Sequence, residues 1–357
     1  MRTASKFRSG RVRVRDFDEA QELYHRRGWT DGLPIVPPTE GKVRAMVESV
    51  AREPEEVLGA IPVRRRVVTV EKAAINAVMA GCMPAHFPVV LATMEAILSE
   101  PFGAHGPTSS TQGAATLLIV NGPAVRELDI NCGENLFGQG RRANAVIGRA
   151  VRLILVNAAG TVPGRVDRST LGTPGKFTFC IGEDEELCGR LGWTPLHVER
   201  GLDRELSAVT VIATESPHQV NSHLGRRPES VLEAMADTIV SLGTPNAARN
   251  QQFVVVIAPE HAHFLAGAGW KKVEVRRYLH ARAQRSVADL KRAGRVAGEL
   301  APEDHATFRQ AAPSPEDILV VAAGGPAGRF SAVLPGWGAP SMTRAVTRAI
   351  GACIECH

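Results

Sequence analysis

Four apolar runs in this chain each stop abruptly on small residues, glycine or proline, and that punctuation constrains the fold more than any other feature. Thr116–Val120 runs into Asn121-Gly122-Pro123. Val209–Ala213 runs into Thr214-Glu215-Ser216-Pro217-His218. Phe253–Ile257 runs into Ala258-Pro259-Glu260-His261, and Ile318–Val321 into Ala322-Ala323-Gly324-Gly325-Pro326. The runs are continuous and rich in β-branched residues, the pattern of strands buried on both faces. Each breaks before a segment of helical spacing. The chain is therefore expected to be α/β, with mixed or mostly parallel sheets flanked by helices. In open α/β sheets ligands sit beyond the carboxyl ends of strands. That makes Asn121, His218, Glu260, His261, Gly324 and Gly325 candidate lining.

A further strand is expected around residues 67–70. Helices are expected over 18–27, 40–52, 71–80, 88–98, 144–157, 231–241, 260–268, 273–283 and 302–311. Residues 28–39, Gly-Trp-Thr-Asp-Gly-Leu-Pro-Ile-Val-Pro-Pro-Thr, carry too many glycines and prolines for regular structure and read as an ordered loop. The two halves rhyme, each with strands of one type and an Asn- or His-bearing exit. The division expected is an arm over 1–16, an α/β lobe over 17–165, a second over 166–350 and a tail over 351–357. The lobes would be two similar units with a cleft between them.

The chain has 357 residues, 44% hydrophobic and 22% charged, with a net charge of +5. This is enough for one large domain or two of usual size. Only 5% of the residues are aromatic. Interleaved aromatic and basic residues of the kind that bind single-stranded nucleic acid are missing. The mild basic balance suits small anionic substrates instead. No apolar run reaches the length that spans a membrane, and the basic start lacks the apolar core of a secretory signal, so a cytoplasmic protein is expected.

Six cysteines are present, and two of them close the sequence in Cys353-Ile354-Glu355-Cys356-His357. C-x-x-C closes a small dithiol ring, and C-x-x-C-H also spells the attachment signal of c-type haem. Three uses follow: a redox dithiol cycling with its disulfide, a soft-metal site from Cys353, Cys356 and His357, or a haem, which the missing export signal disfavours. Cys82, Cys132, Cys180 and Cys188 are too irregularly spaced for a disulfide framework, and Cys82, Cys180 and Cys188 are read as small buried hydrophobes.

Residues 131–144, Asn-Cys-Gly-Glu-Asn-Leu-Phe-Gly-Gln-Gly-Arg-Arg-Ala-Asn, form a polar, glycine-rich stretch ahead of a helix. It matches neither a P-loop nor a dinucleotide fingerprint. It reads either as a loop whose asparagines cap the helix or as an anion pocket, with Asn135, Arg142 and Asn144 as donors and Arg149 and Arg152 adding charge. The histidines His218, His223, His261 and His263 cluster at strand exits. With Glu260, His218 and His261 form a mixed His/carboxylate set of the kind that holds zinc, iron or copper. The segment 102–113 places His105 before Thr108-Ser109-Ser110-Thr111-Gln112. It has no nucleophile elbow, but its hydroxyls suit substrate oxygens. Cys82 and His86 are separated by Pro84, which disfavours a shared helical face.

Several of these segments resemble those of a family of bacterial proteins known as UGSC-like. They are Asp31–Thr39, Asn76–Cys82, Val120–Pro123, Arg142–Ala150, Pro174–Cys180 and Ala323–Pro326. Some members of that family carry selenocysteine, so the resemblance implies redox chemistry at a thiol-type centre. The chain has no U-G-S-C or C-G-S-C string, so the implication settles on no residue. The leading expectation is a thiol-dependent oxidoreductase. Cys353 and Cys356 would carry the chemistry with His218, and Asn121, Asn135, Arg142, Asn144, Gly324 and Gly325 would orient a small anionic or thiol-containing substrate. A thiol reductant protein and a second copy of the chain are the partners it would suit. The alternatives are a metal-dependent lyase or hydrolase using His218, Glu260, His261 and the tail, and a haem-bearing electron carrier.

Overall fold

The computed structural model describes residues 7–351. Twelve strands are present among them. They are β1 (Val57–Ile61), β2 (Arg66–Thr69), β3 (Ala115–Asn121), β4 (Cys180–Gly182), β5 (Ala208–Thr214), β6 (His218–Asn221), β7 (Phe253–Ile257), β8 (Gln284–Ser286), β9 (Phe308–Gln310), β10 (Ile318–Ala322), β11 (Phe330–Leu334) and β12 (Val346–Ala349). The expected α/β class is observed, with mixed sheets. Two of the sheets have four strands, in the orders β12-β5-β3-β4 and β10-β7-β11-β6; the pairs β1-β2 and β8-β9 are small hairpin-like sheets.

The two large sheets share one pattern. Each has a parallel pair at one side, β3 with β4 and β7 with β10. An antiparallel strand follows, β5 or β11, and then a second, β12 or β6. The outermost strands are exchanged along the chain. β6 follows β5 directly but joins the second sheet, and β12 follows β11 but joins the first. Both sheets therefore draw strands from beyond residue 166. The rhyme between halves is a repeat whose final strands cross over, with the bridge Thr214–Gly336 at the crossing.

Alternation along the strands divides the apolar residues into three layers. Leu117, Ile119 and Ile212 face Val254, Val256, Leu319, Val321 and Leu334, so the space between the sheets is filled by a shared apolar core. The opposite faces are covered by helices. Leu118, Val120, Val209 and Val211 pack on the helices Val70–Ala80, Phe87–Leu98 and Arg142–Asn157. Phe253, Val255, Ile257, Ile318 and Val320 pack on the helices Pro228–Ile239, Pro259–Gly267 and Lys272–Arg282. The order of layers is helices, sheet, sheet, helices. Strands covered on both faces need apolar residues at every position, which explains the continuous runs.

One expected element differs. Residues 302–311 form a short turn, Pro302–His305, and then β9, which pairs with β8. Asp304 accepts from the Ala301 amide, capping the start of the turn, and from Lys291. The expected helix over 40–52 ends at Glu48.

Close backbone approach dictates Gly336, where a Cβ would strike the Gln252 carbonyl at the strand crossing. Gly336→Ala is expected to lower stability by about 1–3 kcal/mol. In urea this would appear as a lower unfolding midpoint with an unchanged denaturant slope.

Candidate functional site

The carboxyl ends of β3, β4 and β10 meet on one buried carboxylate, Glu183, directly after β4. Its Oε2 accepts from the Asn121 side-chain amide at 2.8 Å and from the Leu196 amide at 2.6 Å. Its Oε1 accepts from Lys272 Nζ at 2.6 Å and from the Ala322 amide at 3.1 Å. Glu183, Asn121 and Lys272 are all buried. Burial works most strongly against the charge on Lys272, but Glu183 foremost, with Cys188 and Glu199, together offset it and hold the lysine above its ordinary range. The Asp184 amide donates to the Ala322 carbonyl, so β4 of one sheet and β10 of the other are joined at this point.

Around this joint is a more open rim. Glu185 accepts from Asn121 Nδ2 at 2.9 Å and from the Gly122 amide at 2.7 Å, and lies 3.3 Å from His197 Nδ1. The Gly324 amide donates to the Cys132 carbonyl, and Glu134 packs against Gly325. Thus Asn121, Gly324, Gly325 and the 131–139 loop come together, as the positions of the strand breaks imply.

The donors expected to form an anion pocket there are otherwise engaged. Asn144 accepts from the Asn131 amide and donates to the Cys180 carbonyl. Asn135 sits at φ 55° and donates to the Gln139 carbonyl within its own loop. Arg142 donates to the Gly81 carbonyl, and Arg149 forms a two-pronged pair with Asp31 at 2.7 and 2.8 Å. These side chains shape the loop and seat the 28–39 segment. The charges nearest Cys132 are carboxylates. Burial first, and Asp184 and Glu186 next, push its thiol up to about 11. The field at this rim is acidic.

His218 lies elsewhere. Thr214, at the end of β5, opposes Ala115, whereas Asn121 opposes Ala208. The β5 exit is therefore at the far end of the sheet, about 20 Å away along a seven-residue strand. There His218 is exposed and acts electrostatically on Glu215. Burial raises the Glu215 carboxyl, against the opposing effect of the Gln112 amide at 3.0 Å. Thr173 and Ser216 share a hydroxyl–hydroxyl hydrogen bond, and Trp337 Nε1 donates to Ser110 Oγ at 3.1 Å. The hydroxyl-rich loop after His105 thus belongs to this second rim.

The histidine and carboxylate set does not assemble. His261 is buried at the other end of β6, its Nδ1 2.8 Å from Ser331 Oγ, and burial lowers its proton affinity. Glu260 pairs with Arg329. Among the described residues no three His, Cys, Asp or Glu side chains are grouped to hold a metal ion.

The four described cysteines are held as thiols. Burial pushes Cys180 up to about 12 and raises Cys82 and Cys188 further. Cys353, Cys356 and His357 lie outside the described residues. The chain leading to them ends β12 beside β5, where the Ile350 amide donates to the Ser207 carbonyl at 2.8 Å. Ser207 Oγ in turn accepts from the Ala124 amide at 2.9 Å, just past Gly122. The strand before the tail therefore finishes at the β3 and β4 end of its sheet.

No protein-family model matches the chain, and no curated protein matches it.

Sequence reasoning missed Glu183 and Lys272, whereas Glu215 lies in one of the strand breaks read as site lining. β4 has only three residues, too few to announce its exit, and Lys272 lies on a helix whose pattern looks solvated. Lys272→Met would leave a carboxylate buried without its cation and is expected to cost about 3–5 kcal/mol. Adding Glu183→Gln is expected to recover part of that loss. Urea unfolding of the single and double variants checks both.

Proposed function

We propose that the protein is a thiol-dependent oxidoreductase whose working pair is Cys353 and Cys356, acting at the rim formed by the ends of β3, β4 and β10. The observation that carries this reading is the Ile350–Ser207 hydrogen bond, which ends the last strand at that rim. Cys353 follows Ile350 by three residues and Cys356 by six. Those separations span at most ~10 Å and ~20 Å of extended chain. Asn121 and Gly122 are two strands away from β12, a spacing of roughly 10 Å. The state of the other thiols supports the same choice, because burial keeps all four protonated, and the thiolate is the attacking species.

The step is an exchange. One tail thiolate attacks a disulfide sulfur of the substrate, forms a mixed disulfide and expels the first substrate thiolate. The second tail thiolate then attacks the tail sulfur of that bond, closes the Cys353–Cys356 disulfide and expels the other. Two electrons pass to the substrate, and a dithiol reductant protein restores the tail. The acidic rim favours a neutral or cationic surface around the substrate disulfide over the anion that the loop sequence suggests. His218 has no part in this step, since it stands at the opposite end of the sheet.

Equilibration in glutathione buffers of stepped potential, followed by alkylation and peptide mass analysis, tests the reading. A reversible Cys353–Cys356 disulfide is expected, with the other four cysteines slow to alkylate in the native protein. Cys353→Ser/Cys356→Ser should abolish rapid disulfide exchange. Retention of that exchange in the double variant would refute the proposal.

A further inference from the structure

At the second rim, three cations surround one carboxylate. Lys176 Nζ donates to both oxygens of Asp167, at 2.8 and 2.6 Å, and to Ser169 Oγ at 2.5 Å. Arg152, 6% exposed, donates through Nε to the Lys176 carbonyl at 3.0 Å. Its nearest approach to Asp167 is 3.9 Å, beyond a hydrogen bond. Among the described residues its two terminal nitrogens make no hydrogen bond, and Nη2 has only the long ion pair with Asp167, so a guanidinium more than nine-tenths buried keeps hydrogen-bonding capacity on its outer edge. Arg64 completes the set. It bonds only neutral groups: His105 Nδ1 and carbonyl, Thr108 Oγ1 and Thr161 Oγ1.

Asp167 is the one carboxylate that acts on Arg64, Arg152 and Lys176 together. The cluster thus holds three positive charges against one negative. Burial lowers the proton affinity of all three cations, and Asp167 does not restore it. Buried charge left unmatched is costly, here three cations sharing one carboxylate, and a guanidinium fork matches oxyanions in two-pronged geometry. Arg64 and Lys176 are half-buried, so the cluster reaches solvent on the side of the half-buried Ser110 and Ser169.

We propose that Arg152, Lys176 and Arg64 form a binding site for a small oxyanion, a phosphate or carboxylate group, with Asp167 as its internal competitor. The unbonded edge of Arg152 supplies the principal contact. The positive field sought at the 131–144 loop is found here, at the opposite end of the same sheet. This site stands independently of the tail thiols.

The test uses the whole chain with inorganic phosphate or acetate as probe, against chloride at matched ionic strength, read by calorimetry. Phosphate or acetate is expected to bind where chloride does not, and which of the two binds more tightly identifies the group. Lys176→Gln should weaken binding about tenfold, on the scale of one partly screened charge. Asp167→Asn, which removes the competitor, should tighten it by about the same factor. Arg277→Gln, an exposed arginine on the helix Lys272–Arg282, should leave it unchanged. A fall in affinity for Asp167→Asn, or equal loss in Lys176→Gln and Arg277→Gln, would show an adventitious ion only and overturn the proposal. If Asp167→Asn fails to fold, the comparison of Lys176→Gln with Arg277→Gln decides alone.

Discussion

A single carboxylate organises this molecule. Glu183 is fully buried and accepts four hydrogen bonds, from Asn121, Leu196, Lys272 and Ala322. These donors come from the end of β3, the segment after the helix Glu185–Leu191, the second helical layer and the last strand position of β10. A buried carboxylate is tolerated only when its lone pairs are filled and its charge is matched, and both conditions hold here. Since the donors belong to both sheets, the two halves cannot shift against each other at this point without exposing a charge to an apolar core. The shared layer of Leu117, Ile119, Val254, Val256, Leu319 and Val321 supplies adhesion without direction. Glu183 supplies the direction.

The exchange of outer strands has a functional consequence. Because β12 crosses to the first sheet, its carboxyl end, at Ile350, finishes beside the carboxyl ends of β3 and β4 and not beside the second half from which it came. His218 is at the opposite end because it follows the exit of β5, which runs antiparallel to β3. The molecule therefore has two chemically different rims. One is acidic and adjoins the end of β12. The other gathers Arg64, Arg152, Lys176 and a dense set of hydroxyls. The length of β3 separates them.

Much of the architecture was legible in the strands. Runs such as Phe253–Ile257 and Ile318–Ala322 have no polar position, and only a strand covered on both faces asks for that. The helices on either side of them followed from their spacing. What was not legible is long-range pairing. Nothing in His218-Gln219-Val220-Asn221 says that it will join a different sheet from Val209–Ala213, since local pattern carries no record of partner. The rim at Asn121 and Gly324 was readable from the strand breaks. The roles of Arg142 and Asn135 were not, because a donor spent on a neighbouring carbonyl and one held open for a ligand look identical in sequence. Glu183 and Lys272 were hidden for a related reason. Charged residues are ordinarily read as surface, and only the fold reveals the partner that allows both to be buried.

The most direct test of this account is site-resolved amide hydrogen exchange at Leu196 and Ala322, the two backbone donors to Glu183. If that carboxylate is the directional joint between the sheets, both amides exchange only through global opening. Both then lose their protection together in Glu183→Gln, while amides inside β7 keep theirs. Fast exchange at either amide in the native protein, or protection unaltered by Glu183→Gln, would contradict it.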